Sequence, residues 1–109
     1  MALKVSDLVS SMVKAAQASL GKDWPKARDF ARPEIDRLAR TLRDITQLAA
    51  AGKVNKQQAR ALLAIHKNTA QTVLLTIEGL GIIAAENAIN AALAAVKEAV
   101  NAAAGVAIV

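Results

Sequence analysis

The sequence contains no cysteine and no tyrosine, and its aromatic residues are limited to Trp24 and Phe30. Without thiols the chain forms neither a disulfide nor a thiolate metal site. Because aromatic rings are scarce, a core must be built from Ala, Leu, Ile and Val, which supply most of the 54% hydrophobic content. The same scarcity leaves few side chains on which nucleic-acid bases could stack.

Histidine is also nearly absent, since His66 is the only one. A di-metal site in a helical bundle needs Glu-x-x-His pairs, but the residues three positions either side of His66 are Leu63 and Thr69. The serines lack a Gly-x-Ser-x-Gly context, and no glycine-rich phosphate loop occurs. We therefore expect no catalytic residues, no metal, no cofactor and no small-molecule substrate: the sequence predicts a protein that is not an enzyme.

Positive charge is concentrated in the first part of the chain. Residues 1–60 carry 12 basic and 6 acidic side chains, whereas residues 61–109 carry 2 basic and 3 acidic ones, for a net charge of +5. The densest basic segment contains Arg32, Arg37, Arg40 and Arg43, and this spacing suits a basic surface for nucleic acid. Interleaved aspartates, however, lie where they form ordinary helical ion pairs, and this pattern argues against a nucleic-acid partner.

Helix signals divide the chain into segments of one domain, residues 1–109. Gly21 ends a first amphipathic helix, and a second begins near Trp24 with Pro33 inside it, where we expect a kink or a restart. Gly52 ends the second helix, and Asn55 with Gln58 forms a capping-box pattern for the third. The short connection predicts antiparallel neighbours, and hence an all-α, up-and-down antiparallel bundle of three or four helices.

The segment of residues 72–109 is apolar on almost every face, and its only charges are Glu78, Glu86, Lys97 and Glu98. Its apolar face changes register at Gly79–Gly81. A turn there gives four helices, which we favour; without a turn, one helix of about 48 residues and roughly 70 Å would need partners from an oligomer.

A helix that is apolar all round must be buried in a core, an oligomer or lipid. We expect a non-catalytic structural or protein–protein interaction module that self-associates, or binds another helical protein, through its alanine-rich last helix. The alternatives are a membrane-active or membrane-associated protein that uses residues 72–109, and a basic nucleic-acid binder. No secretory signal is evident, so a cytoplasmic location is the default. The predicted oligomer interface comprises Ile82, Ile89, Leu93, Val96 and Val100.

Overall fold

A computed structural model describes residues 3–109 and shows an all-helical chain, with 82% of these residues in helices and no strand among them. The prediction of an all-α fold is confirmed. The α-helices are α1 (Val5–Leu20), α2 (Trp24–Ala50), α3 (Lys56–Leu74) and α4 (Ile82–Ala104), and one 3-10 turn, Gly21–Asp23, joins α1 to α2. Because α3 ends before Gly79 and α4 begins after Gly81, the chain turns there and the alternative of a single long helix is wrong.

Local sequence signals set several of the helix ends. Gly21 ends α1 with a positive φ of 55° and donates its N–H to the Gln17 carbonyl. The capping box at the start of α3 is present: the Asn55 side chain accepts from the Gln58 N–H, and the Gln58 side chain accepts from the Asn55 N–H, both at 2.8 Å.

Of the kink or restart expected at Pro33, the restart does not occur, since α2 runs without interruption from Trp24 to Ala50. Pro33 cannot donate to the Asp29 carbonyl one turn earlier. Both residues lie on the exposed side of α2, where water can hydrogen-bond to that carbonyl. The helix therefore loses one backbone hydrogen bond at its exposed side, and packing of its buried side keeps it continuous.

One hydrophobic core is shared by all four helices. α2 and α4 each contact the other three helices, and α4 packs most extensively against α1. The radius of gyration, 13.5 Å, is close to the ~13 Å expected for a compact domain of this length. The largest side chains that are almost completely buried come from every helix and from the C-terminal tail: Met12, Ile35, Leu38, Leu42, Leu74, Ile89, Val100 and Ile108.

Alanine shapes the contact between α4 and its neighbours. Ala85, Ala88 and Ala92 are fully buried and lie on the same side of α4 as Ile89. Small side chains let helix backbones approach closely, so the larger residues opposite can fill the remaining space. The α4 face that looked unsatisfied in the sequence is therefore covered by the chain's own helices.

The residues after α4 fold back along it. Asn101 holds this tail: its side-chain oxygen accepts from the N–H groups of Ile108 at 2.9 Å and Val109 at 3.0 Å, and its amide donates to the Val109 carbonyl at 3.3 Å. Gly105 makes the reversal possible with a left-handed φ of 77°. As a result Ile108 is buried, with only 2% of its surface exposed.

Candidate functional site

The residues predicted for the oligomer interface on α4 lie mostly in the core of the single chain. Ile89, Leu93, Val96 and Val100 are all buried in the core of the single chain. A partner could reach them only if the helices separated. Ile82 alone of the five is on the surface, where 63% of it is exposed.

Large apolar side chains are instead exposed on both sides of the α3–α4 turn. Leu75, just after α3, is 40% exposed, and Ile82 and Ile83, in the first turn of α4, are 63% and 73% exposed. We call these three residues the apolar turn patch. Ile83 is the most exposed large hydrophobic residue of the described chain, although isoleucine is among the residue types most often buried.

Charged groups of both signs accompany this patch. Lys26, near the start of α2, lies with its Nζ 3.5 Å from the Gly79 carbonyl oxygen and 3.3 Å from Asp23 Oδ1. The turn therefore sits beside the beginning of α2. Glu78 in the turn and Glu86 in α4 are both exposed, and Glu86 follows Ile82 by four residues, on the same side of the helix.

The predicted basic surface on α2 is largely neutralised by the helix's own carboxylates. Arg37 donates to Glu34 at 2.6 Å, and Arg40 donates to Asp36 at 2.8 Å. The hydrogen bond to Asp36, together with the charge of that carboxylate, raises the pKa of Arg40 above its usual value.

Arg43 pairs with Asp44 at 3.1 Å, whereas Arg32 has no ion pair within residues 3–109 and borders a shallow depression with Lys14 and Asp36. Three of the four predicted arginines are thus engaged with carboxylates. These four side chains do not form a continuous set of free cations of the kind that phosphate binding favours.

The single histidine lies at the surface of the chain. His66 is exposed and borders a cavity of only about 20 Å³, together with Glu34 and Thr69. Glu34 is the one charged residue of the described chain that is buried, and its partner there is Arg37. Across residues 3–109, no group of three or more histidine, cysteine, aspartate or glutamate side chains could hold a metal ion.

Cations without carboxylate partners are found on α3, which our sequence analysis did not single out. Lys56, Arg60 and Lys67 are the basic residues of α3, and this helix contains no acidic residue. None of the three takes part in an ion pair within the described chain, residues 3–109. The absence of acidic residues between positions 56 and 74 is the signal that would have identified this surface.

Comparison with known proteins gives no assignment: no protein-family model, no curated protein and no solved structure matches this chain. Among the helices in residues 3–109, none combines the length and the apolar character needed to cross a bilayer.

Proposed function

We propose that this chain is a non-catalytic interaction module, with its helices in an antiparallel up-and-down bundle, that forms a homodimer through the apolar turn patch. The observation that carries the proposal is the exposure of Ile82 and Ile83 side by side in the first turn of α4. In this proposal the last helix is still the element that associates. The contact lies in its first turn, however, and not along its middle as the sequence predicted.

The area available sets the strength of the contact. Complete burial of an isoleucine side chain contributes about 1.5–3 kcal/mol relative to full exposure, and these two residues are already partly covered. After the loss of translational and rotational freedom on association, a few kcal/mol remain. A free energy of a few kcal/mol corresponds to a dissociation constant of about 1 mM, so we expect a weak, reversible dimer whose population rises with protein concentration.

A second copy suits the charges near the patch. In a two-fold contact the same surface meets itself, so each carboxylate of one copy can face a cation of the other. Lys26 beside the turn and Glu86 in α4 provide both signs. Because the surface carries charges of both signs, it does not complement a strongly anionic or a strongly cationic partner.

The test is the solution mass of the wild type and of the Ile82→Asp/Ile83→Asp variant. It is measured by size exclusion with light scattering over a hundredfold range of protein concentration. We expect the wild type to shift toward the dimer mass and the variant to remain monomeric. Aspartate in the first turn of a helix interacts favourably with the helix dipole, so this variant should retain its helicity and melting temperature.

Ile65→Asp is the matched control, because Ile65 is also a highly exposed isoleucine, at 60%, but lies on α3 away from the turn. It should dimerise like the wild type. A wild type that stays monomeric at every concentration would contradict the proposal, as would an unchanged mass for the double variant. A monomer that co-sediments with lipid vesicles, and loses this property in the double variant, would assign the patch to a membrane surface instead.

A further inference from the structure

An open groove of about 310 Å³ lies between α3 and α4, closed at one side by the C-terminal tail. Each helix contributes four residues at the spacing i, i+3, i+4 and i+7, which places them in one stripe along the helix. The two stripes match in character, with polar residues at the ends and a leucine–alanine pair in the middle. They are Arg60, Leu63, Ala64 and Lys67 on α3, and Asn90, Leu93, Ala94 and Lys97 on α4.

Alanine provides the space of the groove, and larger apolar residues form its floor. Ala64 and Ala94 are exposed, whereas Leu63 and Leu93 beneath them are 6% and 5% exposed. Ile108 adds a further apolar wall. This wall is fixed in place because Asn101 hydrogen-bonds to the tail, so the groove is largely preformed, as ligand sites usually are.

The charged side chains of the groove are all positive. Arg60, Lys67 and Lys97 line it, and no aspartate or glutamate does. Within residues 3–109 none of these three cations forms an ion pair. On α2, by contrast, neighbouring carboxylates occupy most of the cations. An anion bound in this groove would therefore not have to displace a side-chain carboxylate.

We propose that this groove binds a small amphipathic carboxylate of the medium-chain fatty-acid class. The carboxylate would lie among Arg60, Lys67 and Lys97, and the hydrocarbon chain would cover the floor formed by Leu63 and Leu93. The volume is at the lower end of the range for small-molecule sites, which suits a short chain. Recognition of a nucleotide is disfavoured because no aromatic side chain lines the groove.

The probe is octanoate, added to ¹⁵N-labelled protein and followed by amide chemical shifts, with 1-octanol and inorganic phosphate as comparison ligands. The proposal predicts saturable shifts that cluster at residues 60–67, 90–97 and the tail, and tighter binding of octanoate than of either comparison ligand. The same titration on the Ile82→Asp/Ile83→Asp variant separates this result from the dimer proposal, because that variant keeps the groove whether or not the chain self-associates.

Two pairs of variants test where the carboxylate and the hydrocarbon chain of the ligand bind. Replacing the three cations in Arg60→Gln/Lys67→Gln/Lys97→Gln should weaken octanoate binding by about tenfold, since each exposed ion pair contributes only modestly. The control Lys4→Gln/Lys14→Gln/Lys53→Gln removes the same net charge outside the groove and should bind nearly as the wild type does.

For the apolar half, Ala94→Leu fills the groove, whereas the neighbouring exposed Ala95 lies outside its lining. Ala94→Leu should abolish the shifts, and Ala95→Leu should leave them unchanged. The proposal is overturned if octanoate produces no shifts at the groove or if 1-octanol binds equally well. It is also overturned if phosphate binds equally well, or if the two triple variants behave alike.

Discussion

The first turn of α4 and the body of the same helix are equally apolar in sequence but opposite in their surroundings. Ile82 and Ile83 are mostly exposed, while Ile89 and Val100 have no exposed surface. The body lies against α1 and α2, whereas the first turn follows the α3–α4 connection at the edge of the fold. Apolar composition therefore shows that α4 needs contacts, but not whether the same chain or another molecule supplies them.

The largest expected effect tests this contrast directly, with the same substitution in both regions. Ile89→Ala removes buried methyl groups and leaves a cavity, so it should lower the free energy of unfolding by about 3 kcal/mol. Ile83→Ala should change it by less than about 0.5 kcal/mol, as is usual at exposed positions.

The measurement is thermal and urea unfolding followed by circular dichroism, at concentrations low enough to keep the chain monomeric. We expect a loss of about 10 °C or more in melting temperature for Ile89→Ala and almost none for Ile83→Ala. Similar losses for both variants would mean that the first turn is as well packed as the body, and would remove the basis for the apolar turn patch.

A smaller effect is expected at the other end of α4, where Asn101 holds the tail. Asn101→Ala removes three hydrogen bonds, each worth about 0.5–1.5 kcal/mol, and frees Ile108 from its buried position. The better helix propensity of alanine returns up to about 0.7 kcal/mol. We expect a net loss of about 2 kcal/mol in the free energy of unfolding and faster hydrogen exchange at the Ile108 and Val109 amides.

Asn87→Ala is the control, because Asn87 is exposed and makes no side-chain hydrogen bond within the described chain, residues 3–109. It should stabilise the protein slightly through helix propensity alone. Unchanged exchange at Ile108 in the Asn101→Ala variant would show that the tail is held by its apolar contacts and not by the asparagine.

Signals that act within a few residues were sufficient to predict much of the fold. Gly21 and the Asn55–Gln58 capping box fix helix ends through bonds to their own neighbours, and both were identified from the sequence. The turn at Gly79–Gly81 was favoured for a related reason, since the apolar face changes side there. Secondary structure here follows from local hydrogen bonding and from the period of the apolar residues.

Features that depend on distant parts of the chain were not predictable in the same way. Periodicity cannot select a buried side in α4, because almost every side of it is apolar, and the predicted interface therefore fell on core residues such as Ile89. Nor could the sequence show that Arg60 and Lys97, 37 positions apart, line one groove. These outcomes depend on tertiary packing.

The smallest expected effect is a gain in stability at the exposed end of α4. Gly81 precedes the helix with an ordinary extended conformation, φ −80° and ψ 163°, and makes no side-chain cap. A Cβ there would meet no atom within 4 Å. Gly81→Ser should therefore raise the free energy of unfolding by about 0.5–1 kcal/mol, because serine accepts from an unpaired N–H of the first turn and restricts the unfolded chain.

Gly79→Ser provides the contrasting substitution two residues earlier. Gly79 has a φ of +84°, and a Cβ at that position would lie 3.1 Å from Lys26 Nζ. Serine there should destabilise the fold by about 1 kcal/mol or more, so the two variants should move the urea midpoint in opposite directions. Equal shifts would indicate that the conformation of the turn is not fixed, and that the exposed first turn of α4 differs from its body in order as well as in packing.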